Sequence, residues 1–433
     1  MSSESRNKIH FDYAKSRKTI NEIELIKFTT LKALRNTLNK IRPHFEEGGK
    51  LKMFHSLYDS IDTFLFVPNK TSKSGVHIHD ATDSKRTMSI VIVALIPALI
   101  FGIYNVGYQH YLAIGETSTL WTNLLFGLLA VLPKIIVAYG VGLGIEVAIA
   151  QVKKEEVQEG FLVSGMLIPL IVPVDTPLWM IGIATAFAVI FAKEVFGGTG
   201  YNIFNVALIT RAFLFFAYPS TMSGDQVFVR TSGSFGFGAP QMVDGIAQTI
   251  DGYSGATPLG QLEGITGAPV FHGIDGQVLS LWDMFIGLIP GSIGETSTIA
   301  ILIGAALLII TNVASWKTMF SVFAGGFLMA LIMNLVGANA VMQTPALAHL
   351  LLGGFAFGAV FMATDPVTSA RTETGKWIYG FIIGILTILI RVFNPGYPEG
   401  MMLAILFANA FAPLIDYFVV EKNINKRLKR AIK

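Results

Sequence analysis

The run Asp251-Gly252-Tyr253-Ser254-Gly255-Ala256-Thr257 sets a hydroxyl beside small neighbours in a polar, glycine-rich segment flanked on both sides by apolar blocks. Glycine permits positive φ, and Pro258 fixes φ and donates no N–H. The spacing therefore predicts an exposed, non-regular loop that presents Thr257 to a modifying enzyme. The same letters also read as a Gly/Ser-rich turn without chemistry.

A second run, Lys193-Glu194-Val195-Phe196-Gly197-Gly198-Thr199-Gly200-Tyr201-Asn202-Ile203-Phe204-Asn205, gathers glycines and two amides at a helix junction. Backbone donors and amide side chains suit a heteroaromatic ring with donor and acceptor edges. Asn202 and Asn205 suit helix N-caps equally well. In Gly140-Val141-Gly142-Leu143-Gly144-Ile145-Glu146 the glycines admit either a flat ligand or a neighbouring helix. Glu146 is harder to reduce to packing, because a carboxylate inside an apolar helix is costly and usually marks an ion or proton path. Asp175, Asp365 and Asp416 stand at or within helix ends, the first two near prolines, where caps or loop acids are equally good readings. A complete sodium cage, which wants several oxygens, is not visible. Lys134 follows Pro133 inside a helix and is expected to pair with an acid. The runs Gly115 to Thr119 and Gly294 to Thr298 read as turns or N-caps. The eight histidines show no metal-ligand spacing, and His55, His77 and His79 are left as candidate quinone partners.

The elements that must position these residues are membrane helices. Of 433 residues 52% are hydrophobic and 14% charged, and mean hydropathy is +0.58, too apolar for a soluble enzyme. With no cysteine, the chain holds no disulfide and no thiolate-ligated cluster, so redox chemistry here needs an organic cofactor or a partner's metal. Spans of about 20 apolar residues are predicted near 87–107, 123–149, 160–174, 177–195, 203–219, 295–312, 317–338, 346–364, 376–393 and 400–420. The expected organisation is a basic arm at 1–86, a five-helix block at 87–219, a long loop at 220–294, a second five-helix block at 295–420 and a basic tail at 421–433. In the arm, Leu31, Leu34, Leu38 and Ile41 recur at helical spacing before Pro43.

Residues 1–86 hold 16 of the 32 Lys and Arg, and 419–433 hold six more, so both ends are expected in the cytoplasm. Lys153, Lys193, Lys317 and Arg371 then fall inside, and the 220–294 loop with Thr257 lies outside. The segment Ile92 to Val106 resembles Ile299 to Val313, and Gly160-Phe161 resembles Gly354-Phe355. A repeat of five helices is odd in number, which forces the second copy to be inverted. The expected fold is an all-α bundle of two inverted repeats, an architecture shared with urea-type channels.

The D-x-x-S-G-A-T pattern of Asp251, Ser254, Gly255, Ala256 and Thr257 resembles the flavinylation signature of the family that joins B subunits of sodium-translocating NADH:quinone oxidoreductases and D subunits of Rnf complexes. The resemblance covers nearly the whole chain, and the long N-terminal arm favours the former branch. It implies FMN joined through its phosphate to Thr257, riboflavin beside Asn202 and Asn205, and a quinone site near Gly142, Leu143 and Glu146. The family pattern has a glycine pair at the quinone site, of which only Gly142 carries over. Sodium is implied along Glu146 and Asp416, and Arg211 is either a counter-charge to a reduced flavin or a snorkelling side chain. The implied partners are other subunits of a bacterial inner-membrane complex, one with a periplasmic FMN, together with a flavin transferase and membrane lipid. Ubiquinone is the implied acceptor and nucleic acid is not expected. The implied alternatives are an Rnf-type subunit working with ferredoxin and a urea-like channel without redox chemistry.

Overall fold

The computed structural model describes residues 35–45, 49, 58, 62, 74–75, 84–153, 160–219, 222, 228–231, 242–243, 246–247, 255–262, 269–394, 396 and 399–431. The described residues up to 75, with 147–153, belong to one compact unit, and the remainder form a second. In the first, a short helix over 35–41 tightens into a 3₁₀ turn at Arg42–His44, where Pro43 stands. Proline at the start of a helical turn loses no bond, whereas further along it would. The Tyr58 hydroxyl donates to the Leu38 carbonyl at 2.9 Å, and its ring stacks on Phe45. Leu31 and Leu34 of the expected amphipathic helix lie outside the described residues.

The second unit is built on helices, the last residues of one of which, 147–153, belong to the first unit. In chain order they are α1 (Ser84–Ile114), α2 (Leu120–Lys153), α3 (Gly160–Leu170), α4 (Leu178–Ala188), α5 (Val206–Ala217), α6 (Leu281–Ile286) and α7 (Thr298–Ile310). There follow α8 (Trp316–Val336), α9 (Ala340–Gln343), α10 (Ala346–Leu351), α11 (Phe355–Phe357), α12 (Glu373–Phe393) and α13 (Met401–Ala431). One two-residue hairpin, β1 (Met242–Val243) with β2 (Ile246–Ala247), pairs Met242 with Ala247. Two π-helical turns interrupt the helices, Val189–Lys193 after α4 and Gly358–Met362 after α11.

Six of these segments are long and apolar enough to cross a membrane: Lys85–Ile114, Leu120–Lys153, Leu178–Phe196, Trp316–Val336, Glu373–Phe393 and Met401–Ala431. Large apolar side chains such as Ile100, Ile136 and Leu335 point outward from them, as lipid-facing residues do. The protein is a multi-pass membrane protein.

The remaining expected spans form short or broken helices. α3, α5 and α7 have 11, 12 and 13 residues, and at about 1.5 Å per residue none reaches the roughly 30 Å of a bilayer core. Each is cut back for a local reason. α3 gives way to the 171–177 stretch carrying Pro173 and Pro177, while α5 and α7 begin only at the side-chain caps Asn205 and Ser297. The 346–364 stretch is broken between α10 and α11 by Gly353, whose φ of 62° suits glycine.

Packing is close where small residues meet. On the α8–α12 crossing, a Cβ at Gly384 would lie 2.2 Å from the Val322 carbonyl oxygen, and one at Gly325 would lie 2.5 Å from that of Phe381. Small residues let helix backbones approach where apolar side chains alone would gain little over lipid. Helix α1 packs on α7, and α5 on α13.

Candidate cofactor sites

Thr257 sits in an ordered loop that ends in a 3₁₀ turn at Gly260–Leu262. Leu259 and Leu262 bury themselves with Phe271, Met284, Ile289, Ala348 and Leu352, which pins the loop. The loop is non-regular as expected, but it is not exposed: Gly255, Ala256 and Pro258 are buried and Thr257 is half-buried. Asp251 and Ser254 lie outside the described residues. The Thr257 oxygen accepts the Gly260 N–H at 3.1 Å. Esterification replaces the hydroxyl proton and leaves an oxygen lone pair for that bond, so the arrangement fits a phosphoester. A Cβ at Gly260 would stand 3.3 Å from the same oxygen, so glycine keeps the oxygen's surroundings open.

Behind Thr257 a cleft is lined by Pro258, Ser292, Glu295, Gly353 and Glu399. Arg211 of α5, 2% exposed, donates there to Glu399, to Ser292 Oγ at 3.2 Å, to Glu295 Oε2 at 3.3 Å and to the Ile171 carbonyl. Arg391 of α12 donates to the carbonyls of Glu399 (2.9 Å), Leu352 (2.9 Å) and His349 (2.5 Å). Arg211 is thus enclosed and does not snorkel, because two carboxylates and a carbonyl freed by the break after α3 hold it inside the protein. Sequence reasoning missed this network. Glu295 lies in a stretch read only as a turn or cap, and its neighbour Ser297 does cap α7 through the Ala300 N–H (3.3 Å).

The second site is a cleft where the ends of α1, α3, α5 and α7 meet the turn after α11. Asn202, Asn205, Lys193, Ser164, Thr364 and Asp365 supply polar groups, and Val91, Leu167, Leu308 and Phe361 supply apolar walls. Both asparagines are there, and both also serve the backbone. Asn205 Oδ1 accepts from Ala207 N (3.0 Å) and Leu208 N (3.3 Å), capping α5, while its Nδ2 donates to Asp365 Oδ2 at 3.0 Å. Asn202 accepts from Gly200 N (3.2 Å) and donates to the Phe204 carbonyl (3.0 Å). Each amide retains one N–H for a ligand. Lys193, expected on an inside loop, is instead 3% exposed and paired with Glu146. A few apolar walls with convergent polar groups suit a planar heteroaromatic such as the riboflavin ring.

The residues expected around a quinone and along a sodium path each have packing or hydrogen-bond contacts within the protein. A Cβ at Gly142 would strike the Phe161 ring at 1.9 Å, so this glycine seats a neighbouring helix. Leu143 is half-buried against the core. Asp416 accepts from Arg371 N (2.7 Å), Thr372 N (3.0 Å) and Thr372 Oγ1 (2.5 Å), tying α13 to the start of α12. Asp365 accepts from Val367 N and Thr368 Oγ1 besides Asn205. Lys134 donates to the Thr176 carbonyl at 2.8 Å, a backbone oxygen left free by the 171–177 break, in place of the expected acid. Asp175 faces Arg230 at 3.7 Å. Among the described residues no three His, Cys, Asp or Glu side chains converge as a metal site, and His55, His77 and His79 fall outside them.

The family model described as "NQR2, RnfD, RnfE family" matches residues 71–425. The chain belongs to this family. Members similar to it include the protein named as the B subunit of the Na(+)-translocating NADH-quinone reductase of Chromohalobacter salexigens, 44% identical over 420 residues, covering 92% of this chain and 96% of that one. Proteins of the same name are 42% identical over 422 residues in Pseudomonas aeruginosa and 43% over 425 residues in Neisseria meningitidis, each covering 92% of this chain and 99% of the relative.

Proposed function

We propose that this protein is the flavin-carrying B subunit of a sodium-translocating NADH:ubiquinone oxidoreductase. The observation that carries the reading is identity of 42–44% to proteins named as that subunit, over 92% of the chain. In this reading FMN is esterified to Thr257, riboflavin lies beside Asn202 and Asn205, ubiquinone is reduced near Gly142, Leu143 and Glu146, and Na+ passes Glu146 and Asp416. When bound, the flavins supply one-electron carriers on either side of the membrane. The chain's own residues hold them: Gly260 N–H steadies the Thr257 oxygen, and the asparagines present amide edges in an apolar-walled cleft. NADH is oxidised by another subunit, because no dinucleotide fingerprint follows a strand in this sequence.

The fold proposed with it has ten crossings as two inverted repeats in the bacterial inner membrane, both termini cytoplasmic, with a periplasmic FMN subunit, a flavin transferase and lipid as partners. The domain bounds are those of the arm 1–86, repeats 87–219 and 295–420, the outer loop 220–294 and the tail. Support comes from the contacts of α1 with α7 and α5 with α13, which join corresponding members of the two repeats as a twofold relation allows. Short or broken segments at α3 and at α10–α11 also occupy corresponding places.

The test is to co-express the chain with a flavin transferase and inspect a denaturing gel under ultraviolet light. A fluorescent band in the wild type that is lost in Thr257→Ala is the expected result. A dark wild-type band, with the transferase active on a control substrate, removes the redox reading and leaves the channel.

A further inference from the structure

The cleft that holds Asn202 and Asn205 has two charged lining residues, Lys193 and Asp365. They are not equivalent. Asp365 is satisfied by three donors from its own surroundings, Val367 N (3.0 Å), Thr368 Oγ1 (3.1 Å) and Asn205 Nδ2 (3.0 Å). Lys193 has one partner among the described residues, Glu146, which does not line the cleft. The pair is buried at 3% exposure on each side, and Glu146 Oε2 has no hydrogen-bond partner among the described residues. A structural ion pair would need both carboxylate oxygens and the ammonium protons satisfied. Here the pair is left incomplete, and its lysine is a lining residue of the cavity. The backbone arranges this. Lys193 closes the π-helical turn and leaves helical geometry (φ −124°, ψ −64°), after which Gly197 and Gly200 turn the chain with φ of 115° and 96°. π turns re-aim side chains and recur at functional sites.

We propose that Lys193 is a cofactor-contacting residue that sets the reduction potential of the ring held in this cleft, with Glu146 dividing the lysine's charge between itself and the ring. The inference rests on the placement of riboflavin in the cleft. An electron delivered from NADH through the complex adds negative charge to the ring, and a fixed ammonium beside it in a poorly screened site favours that state. No bond forms at Lys193, and its proton stays on the nitrogen. The ring is what is reduced. As the ring draws the ammonium, Lys193's hold on Glu146 slackens, which gives the orphaned carboxylate a reason to be there.

The experiment uses the whole complex purified with its flavins. Acid-extractable flavin is measured first in the wild type and in Asn202→Leu, and the reduction potential of the non-covalent flavin is then followed by spectroelectrochemistry. Non-covalent flavin that survives undiminished in Asn202→Leu overturns the placement of riboflavin, separately from the role of Lys193. With the placement upheld, Lys193→Met and the double variant Lys193→Met/Glu146→Gln are expected to lower the reduction equilibrium constant at least tenfold, about 59 mV for one electron. Lys193→Arg is expected to stay near the wild type. The double variant avoids stranding a buried carboxylate, which by itself could unfold the region. Unchanged potentials in flavin-loaded Met variants overturn the proposal. If both Met variants lose the flavin, retention by Lys193→Arg upholds a charge requirement, and loss there too assigns Lys193 to packing and overturns it.

Discussion

Asn205 spends its carbonyl oxygen on the first turn of α5 and one amide proton on Asp365. Asn205→Ala is therefore expected to lower stability by about 1–2 kcal/mol through the lost cap, while Asn205→Ser restores the cap without reaching Asp365. Thermal unfolding in detergent separates the two, with non-covalent flavin content as the second readout. Asp175 carries a pH prediction. Burial pushes its carboxyl up to about 6, against the pull of Arg230 and Lys134. Between the ordinary carboxylate value and 6 the folded state holds more protons than the unfolded one, so stability falls as pH rises through that window. Asp175→Asn should flatten the slope of melting temperature between about pH 4 and 6; an unaltered slope would show that Asp175 titrates normally. At this scale the sequence could name Thr257, Asn202, Asn205 and Glu146 as chemically able. It could not show that Lys193 meets Glu146, or that Asn205 meets Asp365 across 160 positions, because residue type carries no long-range pairing.

Helix α12 shows why its own length was readable and its crossing was not. Its run of apolar residues marks a span, yet Gly380 and Gly384 look merely permissive until α8 is laid against them. Intrinsic propensity favours Ala over Gly in a helix by about 1 kcal/mol, so a single-helix argument expects Gly384→Ala to stabilise. The crossing reverses the sign. An added Cβ would meet the Val322 carbonyl at 2.2 Å and the Gly326 nitrogen at 2.4 Å, and overpacking of this sort is worth about 1–3 kcal/mol. Gly140 of α2 is the control, since nothing lies within 4 Å of its added Cβ. Gly140→Ala is expected to leave the melting temperature unchanged or raised, and Gly384→Ala to lower it. Equal effects would place the cost in the helix and not in the contact. The short α5 and α7 escaped sequence reading for a related reason, since hydropathy sees the apolar flanks but not the side-chain caps, Asn205 and Ser297, at which the helical hydrogen bonding begins.

For the whole molecule, the proposed repeat and its inversion rest on counting. The lettered likeness of Ile92 to Val106 with Ile299 to Val313 identifies corresponding helices, but only an odd number of crossings per copy makes their directions opposite. Among the described residues six helices are long and apolar enough to span, so the count turns on whether α3, α5, α7 and the α10–α11 stretch, with their irregular extensions, complete the crossing. The absence of native cysteine makes this directly measurable, because any introduced thiol is the sole target of a maleimide. Thr117, between α1 and α2, and Asn312, between α7 and α8, are both exposed and occupy corresponding linkers. Inverted repeats place them on opposite faces and parallel repeats place them on the same face. In the proposed orientation, which rests on the Lys and Arg distribution, Thr117 is periplasmic and Asn312 cytoplasmic together with Asn425 of the basic tail. In intact cells an impermeant maleimide is expected to label Thr117→Cys, and to reach Asn312→Cys and Asn425→Cys only after permeabilisation. Labelling of Asn312→Cys alongside Thr117→Cys in intact cells would make the repeats parallel. It would also put an even number of crossings in each copy, and the flavin threonine in the long loop would then have to be placed anew.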